Sequence, residues 1–98
     1  MLESKFKSQF LSEFKRLYPE CVIIEPNANS QQGLPDTLIL VGERWAALEF
    51  KRSSTASRRP NQEYFIKLFG TMSYSAFVCP ENKEEVFHAL QSTFQLRR

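Results

Sequence analysis

Two carboxylates and a lysine are the residues of this chain best suited to chemistry: Asp36, Glu49 and Lys51 stand at the two ends of an apolar stretch. Gly42-Glu43 interrupts that stretch, and glycine in the first position of a two-residue connection suits a type II′ hairpin turn. Counting outward from this turn pairs Asp36 with Glu49, and directly paired residues share one face, about 4.5–5.5 Å apart. Side chains alternate along a strand, so Lys51 lies on that face as well. The sequence therefore predicts that two carboxylates and an ammonium converge at the open end of a hairpin, in a register that one more loop residue would shift.

The predicted cluster suits a divalent cation. Two carboxylates in contact repel each other unless a cation lies between them. Mg²⁺ prefers oxygen ligands and is commonly held by one or two carboxylates, with water and phosphate completing its shell. Such an ion and a neighbouring lysine can together activate water and stabilise the charge that develops on a phosphodiester. Each residue taken singly is also typical of an ordinary turn or exposed strand, but the apolar neighbours Trp45 and Ala47 on the same predicted face favour a site.

The motif around these residues is similar to that of a known nuclease superfamily. Residues 33–36 (GLPD) followed by 49–51 (EFK) resemble the PD-(D/E)xK signature of restriction-endonuclease-like nucleases. The form GxPD resembles the VRR-NUC (virus-type replication–repair nuclease) branch, which includes small phage proteins. This resemblance implies that Asp36 and Glu49 bind a metal ion, that the Phe50 carbonyl adds a ligand, and that Lys51 is the catalytic lysine.

Two further polar residues fall on apolar helix faces. The family places an acid on its first helix, and at about 100° per residue Glu3 falls within the arc of Phe6, Phe10 and Phe14. We expect Glu3 to reach the metal site; an end residue favoured by the helix dipole is the alternative. Gln62 likewise lies in the apolar arc of the second predicted helix, where relatives often carry glutamine near the catalytic lysine. A neutral amide that caps a buried carbonyl is the competing interpretation.

A basic loop follows the predicted catalytic strand. Residues 51–59 contain four positive charges and no acid: Lys51, Arg52, Arg58 and Arg59. Charge runs are usually solvated surface. This charge run begins at Lys51, within the predicted site. We therefore expect its arginines, together with its serines and threonine, to contact the phosphate backbone of DNA.

Periodicity and turn residues predict the element order α-β-β-β-α-β-α, an α/β fold. Its αβββαβ part matches the restriction-endonuclease-like core, a central mixed sheet flanked by helices, with a C-terminal helix added. The apolar stripe of the first helix includes Leu17, and Asn82 with Glu85 resembles an N-terminal cap of the last helix. Both hairpin strands are apolar on both faces, which predicts cover above and below. The predicted helices are 2–18, 60–72 and one that follows Asn82, and the predicted strands are 21–24, 37–41, 45–51 and 74–79.

Length and composition limit the classes of protein to which this chain can belong. Ninety-eight residues, 42% of them hydrophobic, predict one globular domain over 1–98, which the resemblance implies is a nuclease domain. No run approaches the ~20 apolar residues of a membrane span, and the N-terminus is not a secretory signal. Cys21 and Cys79 lie in apolar runs, which favours buried thiols of a reducing compartment, and with one histidine they cannot form a four-ligand zinc site. We therefore expect an oxygen-ligated metal and a cytoplasmic protein, and the resemblance implies a bacterium or its phage as the source. A net charge of +2 alone does not indicate nucleic acid.

These observations predict a Mg²⁺-dependent DNA endonuclease in which Mn²⁺ can substitute, and which either selects junctions and branches or nicks DNA in phage or bacterial DNA metabolism. One site cuts one strand at a time, so cleavage of a duplex predicts a homodimer or higher homo-oligomer. A sequence-specific homing or restriction-type enzyme is the alternative, and it requires loop 27–32 to read base edges. A non-catalytic nucleic-acid-binding or assembly subunit that retains the fold is the alternative from another class.

Overall fold

Four strands form one mixed sheet in the order β1-β2-β3-β4. The computed structural model of the chain describes residues 2–27 and 31–96. Strands β1, β2 and β3 pair antiparallel, and β4 pairs parallel to β3. The predicted element order and the α/β class are confirmed. The helices are α1 (Glu3–Leu17), α2 (Pro60–Gly70) and α3 (Lys83–Phe94), and the strands are β1 (Val22–Ile24), β2 (Thr37–Val41), β3 (Arg44–Phe50) and β4 (Tyr74–Val78).

Helices α1 and α3 cover one face of the sheet with aromatic side chains. Phe10 of α1 packs against Phe50 of β3 and Phe87 of α3, with ring centroids 5.2 and 4.7 Å away. Phe6 and Phe14 extend this cluster along α1, and both are buried. The step of four residues brings these phenylalanines to one side of the helix, so the periodic stripe in the sequence is the main core of the protein.

The predicted place of Leu17 in that stripe is wrong. Leu17 is 40% exposed, whereas Leu11 and Tyr18 are buried. The helix ends at Leu17, and Tyr18 leaves the helical conformation with φ −132° and ψ 73°. Its ring then packs on Phe14 at 4.9 Å and occupies space that Leu17 would otherwise fill. Pro19 causes this ending because proline disfavours the helical conformation in the residue before it.

Asn82 does not cap α3 as its spacing from Glu85 predicts. No side-chain hydrogen bond caps that helix. A short 3₁₀ helix, Pro80–Asn82, precedes it. The Asn82 amide instead accepts from the Cys79 N–H at 2.9 Å and donates to the Phe77 carbonyl at 2.9 Å. The side chain therefore ties the end of β4 to the turn that follows, where the backbone groups leave the sheet.

Cover of the second face is only partial, contrary to the prediction for the hairpin. Helix α2 connects β3 to β4 and lies over these two strands, with Phe69 against Trp45 at 6.0 Å. It leaves β1 and much of β2 uncovered: Val22 and Ile24 are 55% and 43% exposed, and Leu38 is half-buried.

Two other sequence predictions concern the cysteines and membranes. Cys21 and Cys79 are both free and buried, as predicted. None of the helices in the described part of the chain is long and apolar enough to cross a membrane.

Candidate functional site

The predicted hairpin register is confirmed. Val41 pairs with Arg44, Leu40 with Trp45, and the ladder continues outward to Thr37 opposite Leu48. Gly42 has φ +60° and is, apart from Gly33, the only glycine in the described ranges with positive φ, as a turn that begins with glycine requires. One step beyond the ladder, the Asp36 N–H donates to Glu49 Oε1 at 3.2 Å, so the two carboxylate residues lie side by side.

Three carboxylates meet at this end of the hairpin. One oxygen from each of Glu3, Asp36 and Glu49 lies within 4.8 Å of the other two. Glu3 opens α1, and the packing of the α1 phenylalanines against β3 brings the start of that helix to the end of the sheet. The structure thus brings Glu3, the helix glutamate predicted to reach the site, close to the two acids of the hairpin. Glu3 itself is exposed.

Asp36 is held by hydrogen bonds to both of its oxygens. Thr37 Oγ1 donates to Oδ1 at 2.8 Å, and the Phe50 N–H donates to Oδ2 at 3.2 Å. Lys7 Nζ lies 3.8 Å from Oδ1. Burial raises the pKa of Asp36, and the Lys7 ammonium opposes that rise. Asp36 is half-buried, and its two donors and the neighbouring cation hold its carboxyl group in a fixed position.

Glu49 is the more strongly perturbed carboxyl. Glu49 lies on β3 and is only 6% exposed. Burial, with a smaller contribution from the charge on Asp36, raises the pKa of Glu49 from 4.5 to about 7. Lys51 opposes this rise. Strongly perturbed carboxyls in a cleft mark candidate functional sites, and a divalent cation would relieve the repulsion that causes part of this shift.

Lys51 and Gln62 lie together on the open side of the cluster. Lys51 Nζ donates to Gln62 Oε1 at 2.9 Å, and Gln62 Nε2 donates to Glu49 Oε2 at 3.3 Å. Gln62 Oε1 also accepts from the Arg59 N–H at 3.1 Å. The amide therefore links the lysine, the buried glutamate and the first turn of α2. The capping of a buried carbonyl, the alternative for Gln62, is not among these hydrogen bonds.

Gly33 allows the loop before Asp36 to approach α2. It has φ +92°, and a Cβ built on it would lie 2.4 Å from Asn61 Cβ, so only glycine fits. A cleft of about 240 Å³ opens beside this contact. The loop before Asp36 and the start of α2 both line this cleft, and Gln62 connects it to the carboxylate cluster by its hydrogen bond to Glu49. The lining residues are Gln32, Gly33, Arg59, Pro60, Asn61 and Gln62.

The basic loop is anchored at two points. Glu81 Oε2 accepts from both the N–H and the Oγ of Ser54, each at 3.1 Å. The Arg58 guanidinium lies 4.1 Å from the centre of the Phe77 ring, a cation–π contact. Arg52, Arg58 and Arg59 are all exposed, so their charges face solvent beside Lys51.

Sequence reasoning missed Glu81 and also Lys7, whose Nζ forms an ion pair with Glu25 Oε2 at 3.0 Å. Lys7 follows Glu3 by four positions, and residues four apart on a helix share a face, so its proximity to the cluster was open to prediction. Glu81 lies 27 residues from Ser54, and no local pattern indicates that pairing. Loop 27–32, the candidate base-reading segment, includes residues 28–30, which lie outside the described residues.

The donor set fits a hard divalent cation. Three carboxylates with oxygens within 4.8 Å match the oxygen ligands of Mg²⁺ or Mn²⁺. The described cluster contains neither sulfur nor imidazole, which are the ligands of zinc sites. Burial raises the pKa of both Asp36 and Glu49, and neighbouring carboxylates add a smaller rise, which a bound cation would oppose.

Comparison with solved structures identifies the fold. No protein-family model matches the sequence, and no curated protein matches it. A structure described as a VRR_NUC domain protein superimposes with a TM-score of 0.72 at 18% identity, covering 99% of this chain and 91% of that one. A second, described as a VRR_NUC domain, gives a TM-score of 0.70 at 16% identity over 88% of this chain and 94% of that one. The chain therefore has the VRR-NUC nuclease fold that its motif resembles.

Proposed function

We propose that this protein is a Mg²⁺-dependent endonuclease that hydrolyses phosphodiester bonds in DNA, with Mn²⁺ able to substitute. The observation that carries the proposal is the meeting of Glu3, Asp36 and Glu49 beside Lys51 on a nuclease fold. Glu49 is buried beside another carboxylate, and burial together with the charge on Asp36 raises its pKa, an arrangement that a bound cation would stabilise. We propose that the enzyme cuts junctions and branched DNA, or nicks DNA, in bacterial or phage DNA metabolism.

In this proposal Asp36, Glu49 and Glu3 hold the metal ion, and the Phe50 carbonyl adds a ligand. Bound there, the cation would neutralise charge on the phosphodiester and acidify water. Phe50 is the last residue of β3. Its ring is fixed in the core and its N–H donates to Asp36, so its backbone is held beside the carboxylate cluster.

Lys51 acts on the reacting phosphate or its water. Its ammonium is held by Gln62 at 2.9 Å, so the side chain is oriented before the substrate arrives. Orienting a donor in advance avoids reorganisation during the reaction. From there the Lys51 ammonium positions the attacking water or stabilises negative charge on the phosphate. Gln62 supports this geometry by bonding to Lys51 and to Glu49 at once.

Arg52, Arg58 and Arg59 hold the DNA backbone on the side where Lys51 emerges. All three are exposed, and the anchoring of Ser54 by Glu81 fixes the loop that carries the first two. Contacts to phosphate carry no sequence information, so this surface suits an enzyme that recognises DNA shape. Reading of base edges by loop 27–32 is the sequence-specific alternative.

The test is cleavage of plasmid, nicked, four-way-junction and single-stranded DNA in Mg²⁺, with EDTA as the negative condition. Asp36→Asn removes the only aspartate of the chain and is expected to abolish cutting. Glu43→Gln, an exposed change in the hairpin turn, is the matched control and should cut normally. Binding of DNA without cleavage of any substrate in Mg²⁺ or Mn²⁺ would refute the enzyme and favour the non-catalytic binding subunit.

A second copy of the chain is the partner we propose for the uncovered sheet face. A cavity of about 320 Å³ there is lined entirely by apolar side chains: Ile24, Leu38, Leu40, Trp45 and Phe69. Because the patch carries no charge, a two-fold axis can bring two copies of it together without like-charge repulsion. Two copies would supply the two sites that cutting a duplex requires. Native mass measurement should give a dimer for the wild type and a monomer for Leu40→Lys; a monomeric wild type refutes this assembly.

A further inference from the structure

Lys7 is a cation built into the edge of the carboxylate cluster. Its Nζ lies 3.0 Å from Glu25 Oε2 and 3.8 Å from Asp36 Oδ1, and its side chain is only 19% exposed. It follows Glu3 by one helical turn, so α1 presents an acid and an ammonium to the same site. Surface lysines on a polar helix face are usually free in solvent, whereas this one is held between two carboxylates.

The hydrogen bonds of Asp36 distinguish its two oxygens. Oδ2 accepts from the Phe50 N–H, and Oδ1 accepts from Thr37 Oγ1 while it faces Lys7. A carboxylate that bridges two metal ions offers one oxygen to each, and such ions lie about 3.5–4 Å apart. Lys7 therefore stands beside Oδ1, where any ion that took this oxygen as a ligand would meet its ammonium.

We propose that Lys7 is a positioning residue that limits the cluster to a single divalent cation, with Glu25 holding its ammonium in place. This inference rests on the proposed function of the carboxylate cluster as a metal site. The repulsion between an ammonium and a divalent ion about 4 Å apart weakens binding of a second ion more than about tenfold, even at the dielectric constant of water. When the ammonium is removed, Glu25 and Asp36 are left facing each other as a pair of carboxylates that can hold another ion.

The experiment is a Mn²⁺ titration of the full chain at pH 8, read by electron paramagnetic resonance of the free ion, which counts bound ions without any need for activity. The wild type is expected to bind one Mn²⁺ and Lys7→Met to bind two, the second at least about tenfold more weakly than the first. Lys7→Met/Glu25→Gln should return to one, because the second pair of carboxylates is broken. Lys7→Arg keeps the positive charge and should also bind one.

Lys5→Met is the matched control, since Lys5 lies exposed on the same helix; it should leave the count at one. Trp45 fluorescence reports whether each variant is folded, and Lys7→Gln is a second neutral variant with the same expectation if Lys7→Met does not fold. Two ions in the wild type, or one in a folded Lys7→Met or Lys7→Gln protein, overturn the inference. No bound Mn²⁺ in the wild type overturns both the inference and the proposed metal site, whereas one bound ion without DNA cleavage overturns only the proposed function.

Discussion

Glu49→Gln should stabilise the metal-free protein at alkaline pH, an unusual expectation for a change at a buried, hydrogen-bonded residue. In the folded protein the pKa of Glu49 is raised to about 7, from an ordinary value of 4.5. The folded state therefore binds more protons than the unfolded state between about pH 4.5 and 7. By linkage, the free energy of unfolding falls as pH rises through this window and levels off above it. A neutral amide at position 49 removes that loss.

The size of the effect follows from the same shift. A change in pKa from 4.5 to about 7 corresponds to about 3 kcal/mol, and about 2 kcal/mol of this falls between pH 5 and pH 8. The amide has a cost, because Gln62 Nε2 donates to Glu49 Oε2 and would meet a second NH₂ group. A lost hydrogen bond of this kind costs about 1 kcal/mol. We therefore expect nearly equal stability at pH 5 and a Glu49→Gln protein more stable by about 2 kcal/mol at pH 8.

The assay is urea unfolding in EDTA, followed by the fluorescence of Trp45, the only tryptophan of the chain. Subtracting wild type from variant at each pH cancels the titration of other groups. Mg²⁺ should reverse the order at pH 8, because a bound cation stabilises the ionised wild-type cluster and the variant lacks one ligand. Glu43→Gln should follow the wild type at both pH values. Parallel pH profiles of wild type and Glu49→Gln in EDTA would refute the raised pKa and its cause.

Four further changes test the site and its surroundings. Lys51→Met should lower the cleavage rate at least about 100-fold while leaving DNA affinity in Ca²⁺ nearly unchanged, and a retained rate would remove its catalytic role. Glu3→Gln should weaken Mn²⁺ binding about tenfold or more, whereas unchanged affinity would make Glu3 an ordinary helix-end residue. Arg58→Ala should reduce the slope of log affinity for DNA against log salt by about 1, and Arg44→Ala, at the far turn of the hairpin, should not change it. Gly33→Ala should lower the free energy of unfolding in urea by more than about 2 kcal/mol because its Cβ would overlap α2; wild-type stability would show that the loop can move.

The hairpin could be predicted from sequence because its geometry is set locally. A two-residue turn beginning at Gly42 fixes which residues pair, and strict alternation of side chains then assigns each residue to a face. The pairing of Asp36 with Glu49 needs no information from the rest of the chain. Glu3 and Gln62 could be singled out by helical periodicity, which is also local, although their distances from the hairpin depend on how the helices pack.

Some features that sequence reasoning missed depend on contacts between distant segments, whereas the exposure of Leu17 and the position of Lys7 have local causes. The hydrogen bonds from Ser54 to Glu81 join segments 27 residues apart. The exposure of Leu17 depends on where Tyr18 folds back onto Phe14. Val22 and Ile24 of β1 are exposed because α2 is short. Its eleven residues lie over β3 and β4. Apolar alternation in a strand indicates that a face suits burial and does not identify the chain that covers it.

The core and the candidate site are two faces of the same strand, and this explains how so small a protein can hold acids in a fixed position. Leu48 and Phe50 point into the aromatic core and are fully buried, while Glu49 between them points to the cluster. Because the period of a strand is two, a slip of one residue would move both apolar side chains to the face of the site and bury Glu49 among phenylalanines. The energy that fixes the hairpin register thus also fixes the distance between Asp36 and Glu49. A one-residue insertion in the hairpin turn should therefore abolish metal binding and cooperative unfolding together; loss of Mn²⁺ affinity with a wild-type urea transition would show that core and site are set independently.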